Sequence, residues 1–175
     1  MYAINNAQVM DELELHYLPT KRGQFTTCYF RKNDVVLKTN ASKDLSKQIL
    51  YLWGQGVPHL PKLNRIATVC TRSYKWEWYE APLYQPAKAN DPYVQHLRDL
   101  YREGMTLFTH SDRAYKLPTW IIDHIEVDWL KEAVAEWVYL MWNNHPEKVH
   151  FDLKRANFSY DGDTLILRDI MVAYA

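Results

Sequence analysis

Residues 150–157 read HFDLKRAN, and within six positions they set out a carboxylate (Asp152), a primary amine (Lys154) and a carboxamide (Asn157). A second carboxylate, Asp169, follows Asn157 by twelve positions. These are the group types that phosphoryl transfer uses. A carboxylate orients the attacking hydroxyl and accepts its proton, a cation sits beside the transferred phosphate, and hard oxygens bind magnesium. The sequence between them explains how they could meet. NFSY and DTLILR flank Asp161-Gly162, a strong two-residue hairpin signal. With those two residues as the turn, Tyr160 faces Asp163 and Asn157 lies opposite Ile166. The returning strand then brings Asp169 to the end of the hairpin that carries Asn157 and Asp152. The plainer alternative is a polar turn before a surface hairpin, with Asp152 and Asn157 as local caps; it gives no reason for the spacing of Asp169.

The elements that must position these groups can be read from periodicity. Residues 24–30, QFTTCYF, are β-branched and aromatic, and after the polar break RKND the run 35–38 continues as a second strand. Leu45, Ile49, Leu52 and Trp53 mark one apolar helix face, with Asn40 or Ser42 to cap its start and Gly54 or Gly56 to end it. Residues 65–70 and 74–79 read as strands joined by TRS. Pro82 and Pro86 punctuate the chain after Glu80, which sets an expected boundary between a segment 1–81 and a segment 82–175. Asp91 before Pro92 starts a helix with Leu97, Leu100 and Tyr101 on its apolar side. The clearest helix is DWLKEAVAEWVYLMW, with a stripe of Leu130, Val134, Trp137, Val138 and Met141 and the acidic Asp128 at its start.

The bulk numbers limit the alternatives. Apolar residues make up 47% of the 175, enough for a sizeable core, and aromatics 14%. The aromatic wealth at 74–84 and 129–142 reads as core rather than as a platform for stacking bases. Lys+Arg and Asp+Glu both number 21, so no global charge points to nucleic acid or an acidic membrane. The two cysteines, Cys28 and Cys70, have no metal-ligand spacing and suit a reducing cytoplasm. No leader-like or membrane-spanning apolar run is evident, so a cytoplasmic protein is expected.

The 150–157 pattern resembles the catalytic loop of serine/threonine protein kinases, His-x-Asp-Leu-Lys-x-x-Asn, which is followed about a dozen residues after the Asn by a metal-binding Asp. The resemblance covers residues 20–172. It implies an α+β, truncated bilobal kinase-like fold: an N-terminal antiparallel sheet with one helix, and a reduced, mostly helical C-terminal lobe. It implies ATP and magnesium as cofactors, Asp152 as catalytic base and Lys154 on the γ-phosphate, with Asn157 and Asp169 holding the metal. The N-terminal half falls into the same order. Gly23, Phe25 and Cys28 are similar to the second half of a glycine-rich loop, with Cys28 over adenine. Lys38 resembles the phosphate-contacting strand lysine, and Glu80, in WYEAPLY, the hinge residue whose backbone carbonyl meets adenine. His150 is implied to hold backbone near the loop.

The departures are specific. Gly23 is the only one of the family's usual glycines, no Glu lies between Lys38 and Glu77, and Ile170-Met171 replaces Phe-Gly after Asp169. Asp44 and Gln48 are the nearest substitutes for the missing Glu. The short form resembles the minimal kinase domains of short-tailed bacteriophages, the autographivirus early kinases of host takeover. That implies a host protein as substrate or target and the host cytoplasm as location. Two other readings stay open: a kinase-like binding protein that inhibits a host enzyme without catalysis, and a small-molecule kinase of the aminoglycoside or choline type.

Overall fold

The computed structural model describes residues 5–22, 26–41, 50, 52–144 and 149–173. The chain is α+β and divides into two compact units, one of Met1–Gly56 with Lys62–Leu83, the other of Val57–Pro61 with Tyr84–Ala175. Among the described residues no helix is long and apolar enough to cross a membrane.

The first unit is built on five antiparallel strands, β1 (Thr20–Arg22), β2 (Thr26–Phe30), β3 (Asp34–Asn40), β4 (Asn64–Cys70) and β5 (Lys75–Pro82). Their order is β1-β2-β3-β5-β4. Side chains alternate along a strand, so the register Tyr29↔Val36, Lys38↔Trp78↔Ala67 and Trp76↔Val69 gathers these residues on one face. Helix α1 (Asn6–Glu12) contributes Val9 and the chain beyond it Leu15; with Tyr29, Val36, Ala67, Val69 and Trp78 they form a buried core. Burying each large apolar side chain fully contributes about 1.5–3 kcal/mol. The start of α1 is held twice: Gln8 N donates to Asn5 Oδ1, and Trp78 Nε1 of β5 donates to Asn6 Oδ1 at 3.0 Å. The β4–β5 turn closes through paired bonds between Thr71 and Tyr74. The expected helix at 45–53 lies largely outside the described residues; residues 52–54 are helical, and Leu50 and Leu52 are buried.

The second unit carries helices α2 (Pro92–Leu107), α3 (His110–His124) and α4 (Asp128–Asn144). It has a sheet β6-β8-β9, of Gln85–Pro86, Phe158–Asp161 and Thr164–Leu167. A further pair joins β7 (Val149–Phe151) to β10 (Met171–Ala173). Asp91 starts α2 as expected, its Oδ1 accepting from Tyr93 N and Val94 N, so two of the helix's orphan donors are satisfied. The stripe on α4 is core: Leu130, Val134, Trp137, Val138 and Met141 are all buried. Helix α3 contains Pro118, which has no N–H to donate to the carbonyl one turn back, Ala114 O. Trp142 Nε1 of α4 takes that place at 3.2 Å, so the proline is accommodated inside the helix.

Residues 57–61 belong to this unit although they precede β4. His59, at φ 63°, stacks on Trp129 with ring centroids 4.1 Å apart, and Leu167 N donates to its carbonyl at 2.8 Å. The hairpin register also differs from the expected one. The observed pairs are Asp161↔Thr164 and Tyr160↔Leu165, so Gly162-Asp163 is the turn and Arg168, not Ile166, meets Asn157. Gly162 has φ +59° at the first central position and Asp163 has no positive φ, which suits glycine-first turn geometry rather than the Asp-Gly placement.

Candidate functional site

In the second unit, β7 ends at Phe151 and hands the chain to a loop in which Asp152, Lys154 and Asn157 are fixed by backbone bonds. Asp152 N donates to Ile170 O at 2.7 Å, so the start of the loop is tied beside β10. A single 3-10 turn over Arg155–Asn157 follows, with Asn157 N donating to Lys154 O. The Asn157 side chain then reaches back, its Nδ2 donating to Asp152 O at 2.8 Å. On the returning strand Arg168 N donates to Asn157 O at 2.8 Å. Asp169 therefore lies between two residues whose backbones are bonded to Asn157 and Asp152, and the shifted register brings it closer to Asn157 than the expected one would.

Two arginines that spacing alone did not single out hold this loop. Arg98 of α2 donates through Nε to Leu153 O at 2.9 Å, and Arg155 Nε donates to Ala87 O at 2.7 Å. Both bonds join residues more than fifty positions apart, which no local pattern reveals. Tyr160 OH donates to Asp91 Oδ2 at 2.5 Å, linking the hairpin to the start of α2; burial and that carboxylate raise the phenol's pKa.

The electrostatics favour a cation. Asp169 is half-buried, and burial first, then the Asp152 charge, pushes its pKa up to about 6, against the smaller opposing influence of Arg168 and Lys154. Lys154 Nζ lies 3.2 Å from Asp152 Oδ2, with the lysine side chain 77% exposed and the aspartate 20%. Among the described residues no group of three or more His, Cys, Asp or Glu is arranged to hold a metal ion. The donor set still fits magnesium, which takes one or two carboxylates and completes its shell with phosphate oxygens and water. Asp169 would supply the carboxylate, and Asn157, with Nδ2 engaged by Asp152 O, would supply Oδ1.

The first unit carries the other expected residues. Lys38 on β3 is half-buried; its Nζ lies 4.6 Å from the Trp76 ring centroid and 5.5 Å from that of Trp78. Burial, with a further push from the Arg22 guanidinium, lowers its pKa. Cys28 pairs with Leu37, so it projects from the opposite face of the sheet. A ligand lying flat against the Lys38 face of the sheet does not also lie against Cys28.

Glu80 is also placed differently. Strand β5 runs on to Pro82, and Glu80 pairs with Val36 on one side and Asn64 on the other. Its carbonyl points at a neighbouring strand rather than at a ligand, while its side chain accepts from Arg31 Nη1 at 3.0 Å. Gly23, Phe25, Asp44 and Gln48 lie outside the described residues. His150 lies on β7 opposite Val172. No protein-family model matches the chain, and no curated protein matches it.

Proposed function

We propose that this chain is a minimal serine/threonine protein-kinase-like phosphotransferase that uses ATP and magnesium to phosphorylate a host protein, as an early bacteriophage protein acting in the host cytoplasm. One observation supports the reading most directly. Asp152 and Asn157 are bonded to each other through Asn157 Nδ2 and Asp152 O, and each is bonded to a neighbour of Asp169, Asp152 N to Ile170 O and Arg168 N to Asn157 O. Burial and like charge disfavour the ionised Asp169, which is the electrostatic condition a divalent cation relieves.

In this reading Asp152 accepts the proton of the attacking hydroxyl. The new bond forms between that oxygen and the γ-phosphorus, the bond to ADP breaks, and Lys154 stabilises charge on the transferred group. Lys154 is exposed enough to leave Asp152 and turn to a phosphate. Asn157 and Asp169 would hold magnesium, which would supply charge neutralisation at the phosphates. The resemblance also assigns a phosphate contact to Lys38.

A second reading has an observation in its favour. Val36 and Trp78, on the face that carries Lys38, are buried in a core with Val9 of α1 and Leu15. That packing suits a kinase-like scaffold that binds a host enzyme without catalysis. A thermal-shift titration separates the two. A nucleotide that binds only the folded state raises the melting temperature by mass action, so the first reading expects a rise with MgATP that Asp169→Asn diminishes. No rise at millimolar MgATP would favour the second.

A further inference from the structure

Lys38 stands directly opposite Trp78 and diagonally across from Trp76 in the β3–β5 register. Both are positions from which a cross-strand neighbour can reach it, and Glu80, the other diagonal on β5, is engaged by Arg31. Its ammonium lies over both rings, closer to Trp76. The negative face of an indole attracts a cation, most strongly where water is partly excluded, and Lys38 is half-buried. Among the described residues no carboxylate forms an ion pair with Lys38. The nearest acid along β5, Glu77, pairs with Thr39 on the opposite face and is engaged by Lys75 and Tyr79.

The two indoles differ in what else they do. Trp78 is fully buried, stacks on Tyr29 at 5.8 Å and donates to Asn6, so it belongs to the core. Trp76 is half-buried, packs at the margin of that core, and has Tyr74 rather than a core ring as its aromatic neighbour. Its position over the Lys38 ammonium is thus less explained by packing.

We propose that Trp76 is a positioning residue: its indole face holds the Lys38 ammonium in place for a phosphate oxygen, the task a carboxylate would otherwise perform. The inference rests on the phosphotransfer reading for its purpose but not for its geometry. A held ammonium reaches a phosphate without first being ordered, whereas a mobile lysine loses rotamer freedom on binding. An indole also leaves the lysine's full positive charge for the anion, because it adds no negative charge of its own.

Reductive methylation with labelled formaldehyde gives Lys38 a pair of observable methyl groups, assigned by comparison with Lys38→Arg. In the wild type their resonance is displaced by the ring currents of Trp76. Trp76→Leu should return it toward the position of an exposed lysine and weaken MgATP binding, read on unmethylated protein, by about threefold to tenfold. Trp76→Phe, which keeps an aromatic face, should retain most of both. A Lys38 resonance unchanged in Trp76→Leu overturns the proposal, and so does a shifted resonance with unchanged MgATP affinity. If the wild type binds no MgATP, the phosphotransfer reading falls and the positioning role with it, while the resonance still reports whether Trp76 holds the lysine.

Discussion

Replacing Asp169 with Asn should stabilise the metal-free protein at neutral pH, although it removes the residue assigned to the metal. The carboxyl ordinarily titrates at 3.8 and is pushed up to about 6 in the fold by burial and by Asp152. A folded-state pKa above the unfolded one means that the native state holds more protons between roughly pH 4 and 6. Stability therefore falls as pH rises through that window, and the full penalty is present above it. Roughly two pKa units at about 1.4 kcal/mol each give about 3 kcal/mol. Because the group is half-buried, screening by solvent reduces this to about 1–2 kcal/mol. Asn has the same shape and no charge. Among the described residues no hydrogen bond to the Asp169 side chain opposes the exchange. For a chain of this length, 1 kcal/mol moves the melting temperature by about 2–4 °C. Scanning calorimetry with a chelator present should show Asp169→Asn melting about 2–8 °C above wild type at pH 7.5 and level with it near pH 4. Magnesium should then raise the wild type and leave the variant unchanged. Parallel pH dependence in the two proteins would refute the reasoning.

Other expectations follow from single contacts. Asp152→Asn removes the like charge beside Asp169 and should lower the Asp169 pKa, which a carboxyl NMR titration measures directly. Asp91→Ala strips two backbone N–H groups of α2 and the Tyr160 hydroxyl of their acceptor, and should cost about 1–3 kcal/mol in urea unfolding. Gly104→Ala sets a Cβ against Leu117 Cδ1 and the Trp120 ring where α2 meets α3, so calorimetry should find it destabilised by about 1–3 kcal/mol.

What the sequence disclosed depended on how local its cause was. The stripe on α4 could be read because a helix face buried along its whole length leaves an unbroken 3.6-residue period, and every residue named in it is buried. Strands β2 to β5 could be read from β-branched and aromatic runs with polar breaks between them. Helix α3 was hidden because Pro118 reads as a stop, and the compensating donor, Trp142, lies twenty-four positions on. Strands β7 and β10 have three residues each, too few for a period, and exist only because they pair with one another. Residues 57–61 join the second unit through a ring stack, a backbone bond and a bond between His59 Nδ1 and Leu165 O, none of which has a sequence signature.

At the candidate site, residue types and order along the chain were legible, and side-chain direction was less so. The hairpin turn lies one residue later than the sequence suggests, which changes the residue opposite Asn157 from Ile166 to Arg168. Cys28 and Lys38 were expected to serve one ligand, yet the pairing of Cys28 with Leu37 separates them by the pleat. In the sequence Trp76 reads as core, and its contact with Lys38 depends on the pairing of β3 with β5, which has no local signature.

The central claim is that the 152–169 cluster transfers phosphate, and transfer of label from γ-labelled ATP to proteins of a bacterial lysate tests it most directly. With magnesium the wild-type chain should label discrete protein bands. Chelation should abolish the signal, as should Asp152→Ala or Asp169→Asn in protein whose melting curve shows that it is folded. Labelling by Asp152→Ala equal to wild type, or no labelling by a wild type that binds MgATP, would contradict the account.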